Sequence, residues 1–167
     1  VEFTDSFKPK DFESCPSSYT TDGTEYNYKS DNVTYAATGI NSSNSIRGNK
    51  TANGGNFNLR NTVNMEGYYV SKIVIKAKTG DGAGTISGDT NRSVLILGSS
   101  AFSKITDTTV PTGSQISVVA GTGDNVGTYT WTNSSTTASS FILYNLKTAG
   151  TVTALSIEVT WTPVPTK

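Results

Sequence analysis

Apolar and polar positions alternate with period two along most of this chain. Between Tyr69 and Lys78, Ser71, Ile73, Ile75 and Ala77 fall on one side, with Lys72, Lys76 and Lys78 on the other. A strand of that pattern turns one face to a core and its lysines to water. Between Thr153 and Thr162, Leu155, Ile157, Val159 and Trp161 alternate with Ser156, Glu158, Thr160 and Thr162, a second strand with one wet face. Shorter runs follow the same rule. They are Val1 to Phe7, Val33 to Ile40, Ser45 to Arg47, Asn56 to Arg60, Arg92 to Leu97, Gln115 to Ala120 and Thr128 to Thr132. Phe141 to Leu146 is apolar on both faces and reads as a central strand. No apolar pattern of period 3.6 persists for three turns, so no long helix is expected.

Clusters of Gly, Asn and Asp separate these runs, as at Asp22-Gly23, Asn53-Gly54-Gly55, Asp81-Gly82 and Gly88-Asp89. Such residues supply the backbone angles that tight reversals need. The pattern predicts an all-β fold: an antiparallel β-sandwich, jelly-roll-like, of eight to ten short strands. Lys8 to Ser30 shows no sustained alternation and is expected to cross one end of the sandwich as a long loop. Nothing marks a second domain, which gives a single sandwich over 1–162 and a short tail or linker over 163–167.

Composition narrows the function. Ser, Thr, Asn and Gly make up 78 of the 167 residues, and thirteen basic residues balance thirteen acidic ones. With no net field to draw a polyanion, nucleic acid is not an expected partner. No run reaches 18 apolar residues, so insertion of a helix into a membrane is not expected either. The chain has no histidine, which excludes Ser-His-Asp and Cys-His catalysis and every histidine metal site. Its one cysteine, Cys15, can form neither an internal disulfide nor a thiolate cluster, and reads as a small, at least half-buried residue.

Calcium is the metal this composition best suits, because it accepts carboxylates, carbonyls and Asn oxygens. Glu2 and Asp5 in the first strand and Asp124 beside Asn125 are the weak candidates for a structural calcium site. None completes an EF-hand spacing, and turn capping explains loop Asp residues more simply. No other cofactor is expected. Glu66 and Glu158 are the carboxylates that a small polysaccharide-active enzyme would have to pair across a cleft.

The aromatic residues carry the more specific signal. Neutral sugars present C–H faces that pack on flat rings, while Asn, Ser and Thr reach their hydroxyls. Tyr129 and Trp131 share a strand face about 7 Å apart, the spacing of a stacking platform. The same alternation also suits Trp131 as a core residue with Thr128, Thr130 and Thr132 outside. Trp161, aligned with Leu155, Ile157 and Val159, reads as core. Tyr68 and Tyr69 are adjacent, so one of them must point away from the core in a regular strand. The ligand-binding candidates are therefore Tyr68, Tyr69, Tyr129 and Trp131 for stacking, with Asn125 and Asn133 for hydrogen bonds from adjoining loops.

Five segments carry a wider likeness: Val1-Glu-Phe-Thr-Asp-Ser-Phe7, Ser45-Ile-Arg-Gly-Asn-Lys50, Phe57-Asn-Leu-Arg60, Val70-Ser-Lys-Ile-Val-Ile-Lys76 and Ala154-Leu-Ser-Ile-Glu-Val-Thr-Trp161. In this layout the chain resembles the β-sandwich accessory modules of exported and surface proteins of gut-type bacteria, many of which bind carbohydrate. The likeness spans almost the whole chain, yet it consists of strand patterns and transfers no binding residue by position. It implies a secreted or cell-surface, non-catalytic module that binds a polysaccharide or glycan and sits beside other domains of a larger secreted protein. Two further readings stay open: a structural or adhesive module with its aromatics inside, and the small enzyme with a carboxylate pair.

Overall fold

A computed structural model describes residues 1–20, 23–47, 56–79, 93–106, 119–120, 126–145 and 151–166. The architecture is all-β, with two antiparallel sheets packed face to face. The strands are β1 (Phe3–Phe7), β2 (Tyr26–Lys29), β3 (Thr34–Thr38), β4 (Ser45–Arg47), β5 (Phe57–Asn61) and β6 (Tyr68–Thr79), followed by β7 (Ser93–Gly98), β8 (Val119–Ala120), β9 (Val126–Thr132), β10 (Ser140–Asn145) and β11 (Thr151–Pro163). The first sheet has the order β1-β11-β6-β9-β8, with β4 also pairing β11; the second has the order β2-β3-β5-β10-β7. Only β2–β3 and β8–β9 are sequential neighbours within a sheet. Every other connection between these strands crosses from one sheet to the other, which gives the sandwich its jelly-roll-like path.

The expected strands are present wherever the described residues cover them; positions 92, 115–118 and 146 lie outside those residues. One expectation is corrected. The stretch from Lys8 to Ser30 is not a plain loop: it holds a 3-10 turn at Pro9–Asp11 and the edge strand β2. In β2, Tyr26 and Tyr28 are half-buried while Asn27 and Lys29 are exposed. Four residues are too few for their alternation to stand out of a polar stretch. Pairing supplies the rest, with Tyr26 opposite Ala37 and Tyr28 opposite Tyr35.

Two bulges correct the parity assigned to the long strands. In β11 the register slips between Ala154 and Ser156, so Ala154 is buried and Leu155 is 40% exposed instead of joining Ile157 in the core. In β6 the slip lies opposite Thr160 and Trp161, so Val70 turns inward beside Ile73 while Ser71 joins the outer, polar face. There Ser71 Oγ lies within hydrogen-bonding distance of Thr162 Oγ1, at 2.7 Å. An extra residue on one strand reverses every assignment beyond it, which a count by twos along one strand does not reveal.

Inside, large side chains from both sheets meet: Ile73, Ile75, Trp131, Ile157, Val159 and Trp161 from the first, and Tyr35, Phe57, Leu59, Leu95, Phe141 and Leu143 from the second. Aromatic rings are concentrated at the β1–β2 side. Phe7 lies 4.9 Å from both Tyr28 and Tyr35, and Phe141 bridges Tyr35 to Trp161 at 6.5 and 5.9 Å. Such ring pairs add to what area burial alone contributes.

One polar chain crosses this core. Trp161 Nε1 donates to Tyr35 Oη at 2.9 Å, and Tyr35 Oη donates to Asp5 Oδ2 at 2.6 Å. It ties β3 of the second sheet to β1 and β11 of the first, and it satisfies a buried indole and phenol at once. Burial first, and then the Asp5 hydrogen bond, push the Tyr35 phenol well above its ordinary pKa. The close approach of β3 to β5 also demands a glycine. Gly39 has φ +67°, and a Cβ there would stand 2.6 Å from Phe57 N and 2.7 Å from Asn56 C.

The outer face of the second sheet is covered. Across β3, β5 and β10, Thr38, Asn58 and Tyr144 form one buried row, and Ala36, Arg60 and Ile142 the next. A strap of residues 99–106 lies over them. Asn58 Oδ1 accepts from Ile105 N at 2.8 Å and its Nδ2 donates to Ile105 O at 3.1 Å, so one side-chain amide pairs with the strap as a neighbouring strand would. Arg60 Nη1 donates to Phe102 O at 2.9 Å, while its Nε and Nη2 make a two-pronged ion pair with Glu25. Phe102 lies over Gly98, where a Cβ would come within 2.8 Å of the ring.

Candidate functional site

Two adjoining hollows open at one end of the sandwich, where the β5–β6 and β9–β10 loops meet the start of the strap. One, of about 380 Å³, is lined by Leu97, Gly98, Ser99, Asn133, Ser135, Thr137 and Ala138. The other, of about 310 Å³, is lined by Asn64, Glu66, Gly67, Tyr68, Ser99, Thr136, Thr137, Ser139 and Val164. Ser99 and Thr137 belong to both, so the two form one continuous polar depression.

Each wall has a local reason for its shape. Met65 and Gly67 make the turn into β6, with Tyr68 N donating to Met65 O at 3.0 Å and Gly67 at φ +82°. Val164, just past β11, donates its N–H to Gly67 O at 2.9 Å and closes that side. On the opposite wall Asn133 caps its own turn. Its Oδ1 accepts from Ser135 N, and its Nδ2 donates to Val70 O at 2.9 Å and Ser135 O at 3.2 Å. Both amide hydrogens of Asn133 are thereby committed to the fold, and only Oδ1 keeps an acceptor position.

Asn64 is placed differently. Its Oδ1 accepts from Ser139 Oγ at 2.6 Å and Ser140 Oγ at 2.8 Å, and Ser140 Oγ in turn accepts from the buried Asn61 Nδ2 at 3.2 Å. The carbonyl end of Asn64 is filled, which leaves its Nδ2 without a bond among the described residues, and Asn64 is one of the residues lining the smaller hollow. Tyr68 is half-buried, edge-on to Phe3 with ring centroids 5.5 Å apart, and its hydroxyl makes no bond to any described residue. Glu66 is exposed and has no ion-pair partner among the described residues.

The sequence candidates divide. Tyr68 and Asn133 stand on the walls of the paired hollows. Tyr69 is half-buried and pairs across to Thr162, on the opposite face of β6 from Tyr68, so the two tyrosines form no joint platform. Trp131 is corrected: at 1% exposure it belongs to the core, opposite Ile73, and has no free face for a ligand. The Tyr129 side chain and all of Asn125 lie outside the described residues, as does Asp124. Glu2 and Asp5 do not converge. Glu2 accepts from Thr162 on the outer face, while Asp5 accepts from Tyr35 on the inner one. Among the described residues no three His, Cys, Asp or Glu side chains cluster as metal ligands.

The carboxylates of the enzyme reading are also apart. Glu66 lines the smaller hollow, whereas Glu158 stands on β11 between Ser6 and Val74 and is not part of either wall. Cys15 is half-buried, and burial raises its thiol pKa above the ordinary value. No helix among the described residues is long and apolar enough to cross a membrane.

Asn64, Ser99, Thr136 and Ser139 were not legible as site residues. They sit in loops like many others in this chain, and only the meeting of the β5–β6 and β9–β10 loops with the start of the strap brings them together. The class defined by fold and site is an antiparallel two-sheet sandwich with a polar, partly aromatic hollow in its loops at one end. No family model, curated protein or solved structure matches the chain.

Proposed function

We propose that this chain is a non-catalytic carbohydrate-binding module, of the kind carried by secreted or cell-surface proteins, and that its site is the paired hollow. The observation that carries this reading is the wall around Tyr68. A half-buried ring with a spare hydroxyl stands beside the spare Asn64 amide, with Ser99 and Thr137 linking to a second hollow. Ring, amide and hydroxyls are the groups that a neutral sugar uses. The hollow is shallow and open to water, so binding at a single site is weak and gains from neighbouring modules of a larger exported protein.

The test is retention of the purified protein on a panel of plant, microbial and host polysaccharides, by affinity electrophoresis, with and without calcium. Tyr68→Ala should weaken retention about tenfold, the loss of roughly one aromatic contact, while the melting temperature shows that the variant is folded. Loss with Tyr69→Ala instead would move the site to the outer face of the first sheet. Calcium should make no difference if Glu2 and Asp5 serve only their hydrogen bonds.

A second reading is favoured by one observation. Trp131 and Trp161 are both inside, and the exposed positions on the outer face of the first sheet, such as Thr4, Ser6, Lys72, Lys76 and Thr132, are Ser, Thr and Lys set around Val74. That is what a structural or adhesive spacer module requires. Silence across the whole panel would make it the better account.

A further inference from the structure

The charge on the hollow walls points to a narrower class of ligand, an inference that rests on the carbohydrate reading. Of the residues lining the two hollows, Glu66 alone is charged, and none is basic. The one described ion pair, Arg60 with Glu25, is spent on holding the strap and lies outside both walls. Glu66 itself is exposed, so its carboxylate keeps two acceptor oxygens for a ligand. Beside it stand the Tyr68 ring, which attracts a cation, and the Asn64 amide, which donates to a hydroxyl.

We propose that the hollow takes a glycan unit bearing a protonated amine, held by Glu66, and turns away the same unit bearing a carboxylate. An ammonium donates charge-assisted hydrogen bonds to Glu66. A uronate brings a second negative charge to a wall that has no cation to meet it. Because Glu66 is exposed, water and salt screen the contact, and the discrimination is of a few-fold size.

The test uses three soluble probes: chitosan oligosaccharide with free amines, its fully N-acetylated counterpart, and oligogalacturonate. Binding is followed by titration calorimetry or by chemical shifts at about pH 6, above the ordinary carboxylate range, at low and at high salt. The wild type should bind the amine-bearing probe roughly two- to fivefold more tightly than the acetylated one, and the uronate least. High salt should shrink the preference, and Glu66→Gln should remove it, bringing the amine-bearing probe down to the affinity of the acetylated one measured on the same variant. Equal binding of amine and acetylated probes, a preference that survives Glu66→Gln, or tightest binding of the uronate would overturn the proposal while leaving the carbohydrate reading intact. Failure of all three probes, together with silence on the polysaccharide panel, would remove both.

Discussion

The outer faces of the two sheets come from the same alternation but lead opposite lives. On the first sheet, Thr4, Thr160, Lys72 and Thr132 stand in one row across β1, β11, β6 and β9, and Lys72 and Thr132 are open to water. On the second sheet the row Thr38, Asn58 and Tyr144 is fully buried under the strap. Polar residues on the first face need no protein partner, because water supplies one. On the second they must be satisfied internally. Asn58 bonds to Thr38, Asn56 O and both backbone groups of Ile105. A polar residue thus contributes little in one place and holds a layer together in the other. The covered face also matters for the hollow, since the strap begins at Ser99, which lines both of its halves.

Substitutions in the two rows should separate accordingly. The largest effect is expected for Asn58→Ala, which strands the Ile105 amide and carbonyl and leaves the Thr38 hydroxyl with only its bond to Asn56 O. A loss of about 2–3 kcal/mol in denaturant unfolding is expected. Arg60→Ala should cost less, about 1–2 kcal/mol, because its ion pair with Glu25 is only partly shielded from water. It should also release the strap, which faster amide exchange of residues 99–106 would report.

The link between the sheets gives a test by pH. The Tyr35 phenol has a higher pKa folded than unfolded, so the stability it contributes is complete below about pH 10, the ordinary tyrosine value. That contribution is lost as pH rises further, because the unfolded chain releases the proton first. The slope is up to about 1.4 kcal/mol per pH unit from this residue. Tyr35→Phe should flatten the alkaline decline, at the cost of a lower starting stability from the unpaired Trp161 Nε1. Smallest of all is Thr160→Ala on the open face. Despite its 2.8 Å contact with Thr4, it should change stability by no more than about 0.5 kcal/mol. Equal losses from Asn58→Ala and Thr160→Ala would show that the strap does not seal the second face.

Much of the fold was legible from alternation. β4 falls at its expected bounds, β6 and β11 extend theirs by a residue or two at each end, and Trp161 is in the core as its alignment implied. The site was less legible. Tyr68 and Asn133 reach the hollow, but Trp131, chosen for a spacing that a platform and a core share, packs inside. Alternation states which residues share a face of a strand and is silent on what covers that face. Asn133 illustrates a second limit: the residue type that reaches a sugar hydroxyl is also the one that caps its own turn, and here it does the latter.

The sequence by itself determined the strands other than β2, their antiparallel two-sheet arrangement and the absence of histidine chemistry, because period-two burial and composition are properties of the chain alone. Only the tertiary structure decided which loops share an end of the sandwich, where β6 and β11 bulge, and which outer face is sealed. Those features depend on contacts between residues far apart in the chain, such as Asn58 with Ile105 and Ser140 with Asn64. A local pattern carries no record of which distant segment will satisfy a buried polar group, and at both of these places that satisfaction sets the shape.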